Sequence, residues 1–156
     1  RSCLVGSEMC IRDRFKPPKG RCQVSKYGSI TVIDDTYNSN LESCSAAIDY
    51  LCAFSGSGRN IAVIGDMLEL GSVSKKQHEK LGKKCNSSNL DAIFTLGVET
   101  LNTKNTIKDK KTNDHFEDYN HLISTLKSFL ISDDKVLFKG SRGMQMEKII
   151  SGVFEN

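Results

Sequence analysis

The sequence predicts a doubly wound α/β domain: a mostly parallel sheet with helices on both faces. Three observations lead there. Four short runs rich in β-branched residues recur along the chain. They are separated by stretches long enough for crossover helices, which parallel strands require. The runs are apolar at nearly every position instead of alternating, as expected of strands covered on both sides. At 156 residues the chain is one domain in size, large enough to bury a core without staples.

The elements follow in order. Gly20–Lys26 is a candidate leading strand. Ser29–Ile33 (Ser-Ile-Thr-Val-Ile) is the first apolar strand and ends at Asp34-Asp35. Leu41–Phe54 places Ala46, Ala47, Leu51 and Phe54 at helical spacing. Asn60–Ile64 is a second strand, ending at Gly65-Asp66. Ser74–Cys85 reads as a helix with Ser74 as N-cap and Gln77 three residues on. Ala92–Leu96 is a third strand, stopped by Gly97. Thr103–Asn113 is polar and lysine-rich and reads as a loop. Asp118–Ile131 is an amphipathic helix carrying Leu122, Leu126, Phe129 and Leu130. Lys135–Phe138 is a fourth strand, followed by Lys139-Gly140, and Gly143–Phe154 is a final helix.

Composition narrows the function. Hydrophobic residues are 38% and charged residues 26%, as in ordinary globular proteins. The net charge of +3 is mild, and Lys and Arg are interleaved with Asp and Glu, which argues against a nucleic-acid partner. The run Lys108–Lys111 reads as a solvated loop. No apolar run approaches the roughly 18 residues of a membrane span, and no signal-peptide pattern is present. The six cysteines include no Cys-x-x-Cys pair, so reduced thiols in a cytoplasmic protein are the better reading, with no metal ligation or disulfide framework. Arg1–Arg14 has no helical or strand period and resembles a translated sequencing adapter. It is read as non-native and set aside, the alternative being a genuine linker or strand.

In open α/β sheets, ligands bind beyond the carboxyl ends of the strands. The unusual polar residues of this chain gather there: Asp34–Asn38 after the first apolar strand, Gly65–Gly71 after the second, Lys139–Gly143 after the fourth. The last segment runs into a helix. Either its backbone N–H groups, with Lys139 and Arg142, cradle a phosphate or carboxylate, or it is a plain turn with Ser141 as N-cap. Spacing leaves the two readings even. Neither a P-loop nor a dinucleotide fingerprint is present. Asp34-Asp35 suits a ribose, a metal-bound phosphate or an amine, unless it only caps the following turn. His78, alone within a helix, reads as a surface or packing residue.

Taken in order, these segments resemble the C-terminal domain of the Mur ligases. Phe15–Arg21 looks like the approach to that domain. Asp34-Asp35-Thr36-Tyr37-Asn38-Ser39-Asn40 is similar to the family's Asp-Asp-Thr-Tyr-Asn-Ala-Asn-Pro, with Ser39 for Ala and Leu41 for Pro. Gly65-Asp66-Met67-Leu68-Glu69-Leu70-Gly71 resembles a second block, Ser74 and His78 a Ser-x-x-x-His, and Lys139–Met144 with Met146-Glu147 the closing block. The likeness covers residues 15–154. Its Thr-Tyr-Asn form favours the branch that adds D-alanyl-D-alanine over relatives with Ala-His there.

What the resemblance implies is one part of an ATP-dependent amide ligase. Domain 15–156 would close over a central ATPase domain, and that domain and an N-terminal UDP-binding domain would lie outside this chain. ATP and Mg2+ would be held mainly by the central domain. Arg21, Asp35 and Asn38 would face ATP. Asp66, Glu69, Ser141 and Arg142 would face the acceptor. The substrates would be UDP-N-acetylmuramoyl-tripeptide and D-alanyl-D-alanine. No metal ligand and no general base is assigned here. Two alternatives stand beside this one: another Mur or folylpolyglutamate-type ligase, and a stand-alone nucleotide- or peptide-binding module.

Overall fold

The computed structural model of the protein describes residues 18–110 and 112–155, so Arg1–Arg14 and the start of the Phe15–Arg21 motif lie outside the described residues. Among the described residues six strands form one sheet: β1 (Gln23–Tyr27), β2 (Ile30–Asp35), β3 (Asn60–Gly65), β4 (Ala92–Leu96), β5 (Thr112–Phe116) and β6 (Lys135–Lys139). Their spatial order is β1-β2-β6-β3-β4-β5. Only β1 is antiparallel, joined to β2 by a tight turn in which Gly28 takes φ +61°. The candidate leading strand is therefore real, but it is a hairpin edge.

The described residues also form five α-helices: α1 (Leu41–Ala53), α2 (Ser74–Ser87), α3 (Thr100–Thr106), α4 (Tyr119–Phe129) and α5 (Glu147–Phe154). Successive strands from β2 to β5 step one way across the sheet, and β6 steps back between β2 and β3. A single crossover hand then requires the helices of the two directions to lie on opposite faces. The core obeys this. Ile33, Ala62, Ile64, Ile93 and Leu137 face Ile48 and Leu51 of α1 and Leu81 of α2. The alternate positions Val32, Val63, Phe94, Val136 and Phe138 face Leu122 and Leu126 of α4 and Ile149 of α5. Each fully buried Val, Leu, Ile or Phe side chain among these stabilises the fold by about 1.5–3 kcal/mol.

The polar stretch Thr103–Asn113 corrects the loop expected there. It contains most of α3 and the start of the edge strand β5, paired in parallel to β4 with Ala92 opposite Thr112. The helix buries threonines, so it shows no apolar period. Thr100 and Thr103 are fully buried, and the Thr103 hydroxyl donates to the His78 carbonyl at 2.9 Å. Gly82 of α2 lets α3 approach, because a Cβ there would lie 2.6 Å from the Thr103 carbonyl oxygen. The amino-terminal pole is tied by Arg59, which grips Asp134 through two bonds of 2.9 and 2.7 Å and stacks on Phe129 at 4.3 Å. Hydrogen bonding to Asp134 raises the Arg59 pKa further.

Candidate functional site

The carboxyl ends of β2, β6 and β3 lie side by side. Parallel register sets Asp35 against Lys139, so both side chains leave the sheet on one face. Lys139 Nζ meets Asp35 Oδ2 at 2.7 Å and donates to the Asn38 carbonyl at 2.9 Å. The lysine is only 2% exposed. The other Asp35 oxygen accepts the Cys22 amide at 3.1 Å. Burial pushes the Cys22 thiol pKa up, and the Asp35 charge adds to the shift. Asp34 points away and caps the turn, accepting from the Thr36 amide at 3.2 Å and its hydroxyl at 2.7 Å. Of the two adjacent aspartates, then, one does the turn-capping and the other meets the cleft.

The rest of the loop is fixed locally. The Asn38 side-chain oxygen accepts from the Ser39 amide at 2.8 Å. Asn40 begins α1 in a capping box, accepting from the Ser43 amide at 2.7 Å while its own amide donates to Ser43 Oγ at 3.0 Å. Ser43 occupies the usual Glu position of that box, so the loss of Pro at Leu41 leaves the helix start secured. Between loop and helix lies an open cleft of about 730 Å³, lined by Arg21, Asp35, Tyr37, Asn38, Ala47 and Tyr50 among others. All three residues assigned to the ATP side line it. Its walls offer two tyrosine rings, one guanidinium and one carboxylate.

The residues assigned to the acceptor side divide into two kinds. Asp66 is 5% exposed. It accepts from the Val98 amide at 3.0 Å and the Thr100 amide at 2.8 Å, fixing the start of α3. The Ser141 hydroxyl accepts from the Leu68 amide at 2.8 Å, and its own amide donates to the Asp66 carbonyl at 3.0 Å. Both residues tie loops together. Glu69 and Arg142 are exposed and project from those loops. Glu69 adopts φ +62°, uncommon for a residue with a side chain. Arg142 lies 3.3 Å from Glu147.

His78 takes the packing one of its two readings, while three expectations change: those for Ser74, for the start of the last helix and for Lys139. His78 is fully buried, and its Nε2 accepts from the Met67 amide at 3.1 Å. Its Nδ1, 2.9 Å from the Ser74 carbonyl, is the protonated nitrogen on that assignment. Ser74 is not the N-cap of α2, a position held by Val73. Its hydroxyl donates to Glu99 at 2.6 Å. After β6, a 3-10 turn over Arg142–Met144 delays α5 until Glu147, and Ser141 makes no cap bond. Gly140 is required by packing, since a Cβ there would lie 2.6 Å from Met146 Cγ. Lys139, read as a possible anion contact, is the partner of Asp35. Among the described residues no group of three or more His, Cys, Asp or Glu is placed to hold a metal ion.

Residues 20–142 match the family described as "Mur ligase, glutamate ligase domain". The chain belongs to the Mur ligase family. This Mur ligase domain is 31% identical over 130 residues to the UDP-N-acetylmuramoyl-tripeptide–D-alanyl-D-alanine ligase of Bacillus subtilis, covering 81% of the chain and 28% of that protein. It is 36% identical over 124 residues to the ligase of the same name from Haemophilus influenzae, covering 78% of the chain and 27% of that protein. The chain thus spans just over a quarter of the relatives it matches. Among solved structures, MurF from Acinetobacter baumannii superposes with a TM-score of 0.81 at 28% identity, over 92% of this chain and 32% of that one. MurF from Thermotoga maritima in complex with ADP gives 0.76 at 29% identity, over 97% and 36%. The mostly parallel six-stranded sheet with its helices matches these MurF neighbours.

Proposed function

We propose that this domain serves an ATP-dependent ligase that joins D-alanyl-D-alanine to UDP-N-acetylmuramoyl-tripeptide in the bacterial cytoplasm. What carries the reading is the run of ordered strand-end blocks, together with relatives of that name matching about four fifths of the chain at 31–36% identity.

The chemistry follows an acyl-phosphate route. The γ-phosphoryl group of ATP passes to the tripeptide carboxylate, leaving ADP. The dipeptide amine attacks the acyl carbon, and the tetrahedral adduct collapses to amide and phosphate. Magnesium neutralises phosphoryl charge in such reactions. In this reading it belongs to the rest of the ligase. The domain's own residues position and screen. Arg21, exposed on the cleft wall, meets phosphate charge. Asp35, paired with Lys139 at 2.7 Å, accepts hydrogen bonds from the nucleotide side. Asn38 sets the loop that Lys139 grips. Glu69 and Arg142 face the zwitterionic acceptor, and Asp66 and Ser141 hold the loops that present them. Packing on a central ATPase domain would keep water from the acyl phosphate.

The test is a chimera. Residues 18–155 replace the matched region of the Bacillus subtilis enzyme, and phosphate release is followed with each amine acceptor. Release that depends on D-alanyl-D-alanine is the expected result. A folded chimera that releases phosphate only with another amino acid points to a different Mur ligase. A folded chimera that releases none, with micromolar ATP binding by the isolated chain, favours a stand-alone binding module. Sequencing the source locus upstream of Phe15 gives an independent check, because this reading requires an in-frame Gly-Lys-[Ser/Thr] P-loop domain there.

A further inference from the structure

Tyr37 has no role in the reading above, yet it stands between the two sides of the site. Its ring forms a wall of the 730 Å³ cleft and also of a second crevice of about 270 Å³ lined by Lys19, Asp34, Arg142 and Glu147. The Arg21 guanidinium lies over the ring at 4.2 Å from its centroid, and the Arg142 guanidinium at 5.9 Å. Both distances are within the range of cation–π attraction. The two guanidinium carbons are therefore separated by no more than the sum of those distances, about 10 Å. One polyphosphate, or one phosphoryl group with a neighbouring carboxylate, bridges such a gap.

The backbone explains the placement. The Tyr37 amide donates to the Gly20 carbonyl at 2.8 Å. Gly20 takes φ +76°, and a Cβ there would come within 3.2 Å of the Tyr37 nitrogen. The contact seats residue 21 beside the ring. From the other direction, Ser141 is locked to the Asp66 loop, which fixes where Arg142 departs. Two like charges held near one ring repel each other. The nearby carboxylates only partly offset this: Glu147 meets Arg142 from the side, and Asp34 accepts from Thr36. Among the described residues Arg21 has no carboxylate partner within salt-bridge distance.

We propose that Tyr37 is a positioning residue whose ring couples Arg21 to Arg142, so that the nucleotide-side and acceptor-side cations engage one anionic ligand together. The proposal rests on the ligase reading for the identity of that ligand, but not for the coupling itself. Tyr37 is 44% exposed, so replacing it leaves the core intact.

The experiment uses the chain as it stands, with inorganic tripolyphosphate as the probe and arginine side-chain NMR as the readout. In the wild type, the Arg21 and Arg142 side-chain signals are expected to carry the ring's upfield shift and to move together along one binding curve. Tyr37→Phe keeps the ring and should reproduce this. Tyr37→Leu keeps apolar bulk without a π face. It should abolish both upfield shifts and weaken binding about two- to fivefold, the fold-change equivalent to the ~0.5–1 kcal/mol of an exposed cation–π contact. In a double-mutant cycle, Arg21→Gln and Arg142→Gln should be non-additive with tyrosine at position 37 and additive with leucine. Separate binding curves for the two arginines, or an unchanged cycle in Tyr37→Leu, would overturn the coupling. Loss of ligase activity in the chimera with the coupling intact would overturn the ligase reading instead.

Discussion

Replacing Lys139 by methionine should destabilise the domain by about 3 kcal/mol. Methionine retains most of the aliphatic stem and removes only the ammonium. In the folded protein that ammonium is 2% exposed and bound to Asp35 and to the Asn38 carbonyl, and the Asp35 side chain is itself only 15% exposed. Removing one member of a buried ion pair typically costs about 3–5 kcal/mol, because the other charge stays buried without compensation. The lower end applies here, since Asp35 keeps its bond from the Cys22 amide and borders the open cleft. For a domain of this size, ~3 kcal/mol corresponds to a fall in Tm of roughly 10 °C, or a drop in the urea midpoint of about 1.5 M at a slope near 2 kcal/mol/M. Urea unfolding followed by circular dichroism measures it. Asp35→Asn alone should lose a similar amount. The double variant Asp35→Asn/Lys139→Met should lose only about 1 kcal/mol, because no stranded charge remains. A Lys139→Met protein within 0.5 kcal/mol of wild type, or a strictly additive double variant, refutes the reasoning.

Three further outcomes follow from the same structure. Burial, with Cys44 and Cys52 adding to it, pushes Cys85 up to about 12, and burial raises Cys44 as well. In the folded protein a thiol reagent should therefore modify the half-buried Cys22 and Cys52 well before Cys44 and Cys85, as peptide mass spectrometry will show, and equal rates would contradict the packing of α1 on α2. Burial lowers the His115 pKa from 6.5, and its Nε2 has no partner among the described residues. A depressed folded-state pKa favours the neutral ring, so this contribution is fully present above pH 6.5 and is lost as pH falls below it. The wild-type urea midpoint should therefore fall more steeply with acidification below that pH than the His115→Gln midpoint, and parallel curves would refute this. A Cβ at Gly58 would overlap the Asp133 carbonyl of the Arg59–Asp134 pole, so Gly58→Ala should cost about 2–3 kcal/mol in the same denaturation assay, and a near-neutral change would mean that this pole is loosely packed.

The legible parts of the fold were those whose burial is apolar. β2, β3, β4 and β6 announce themselves because both faces are covered by helices, and α1 and α4 because one side of each packs on the sheet. α3 escaped notice because it buries Thr100 and Thr103, whose hydroxyls are satisfied by carbonyls, and no hydropathy pattern marks such a helix. β5 is an edge strand with two of its five residues Asn and Asp, and it is held by pairing to β4. Ser74 has the right residue type for a cap, but Glu99 lies within reach across the loop and competes for its hydroxyl. The signal for α3 was present in Gly82 and Gly97, whose missing side chains leave room for Thr103 and Asp66.

At the site, residue types were readable and their partners were not. Asp35 and Lys139 are 104 residues apart, and only the insertion of β6 beside β2 makes them neighbours. The same insertion places Ser141 against the Asp66–Leu68 loop of β3. Buried polar residues at this edge therefore serve first to join three loops, as expected where a polar group away from water must be hydrogen-bonded. With those donors and acceptors bonded internally, the groups left facing outward include Arg21, Tyr37, Glu69 and Arg142, all exposed. A hydrogen-bonded inner ring that aims an exposed outer one is what a reaction needs when its charge develops at the junction of two ligands, because preorganised groups do not have to reorient as the charge appears. Asp66→Asn and Ser141→Ala should accordingly act through loop geometry, while Arg21→Gln and Arg142→Gln act through charge. Salt separates the two classes, since added salt screens the exposed guanidiniums and leaves the buried loop bonds almost unaffected.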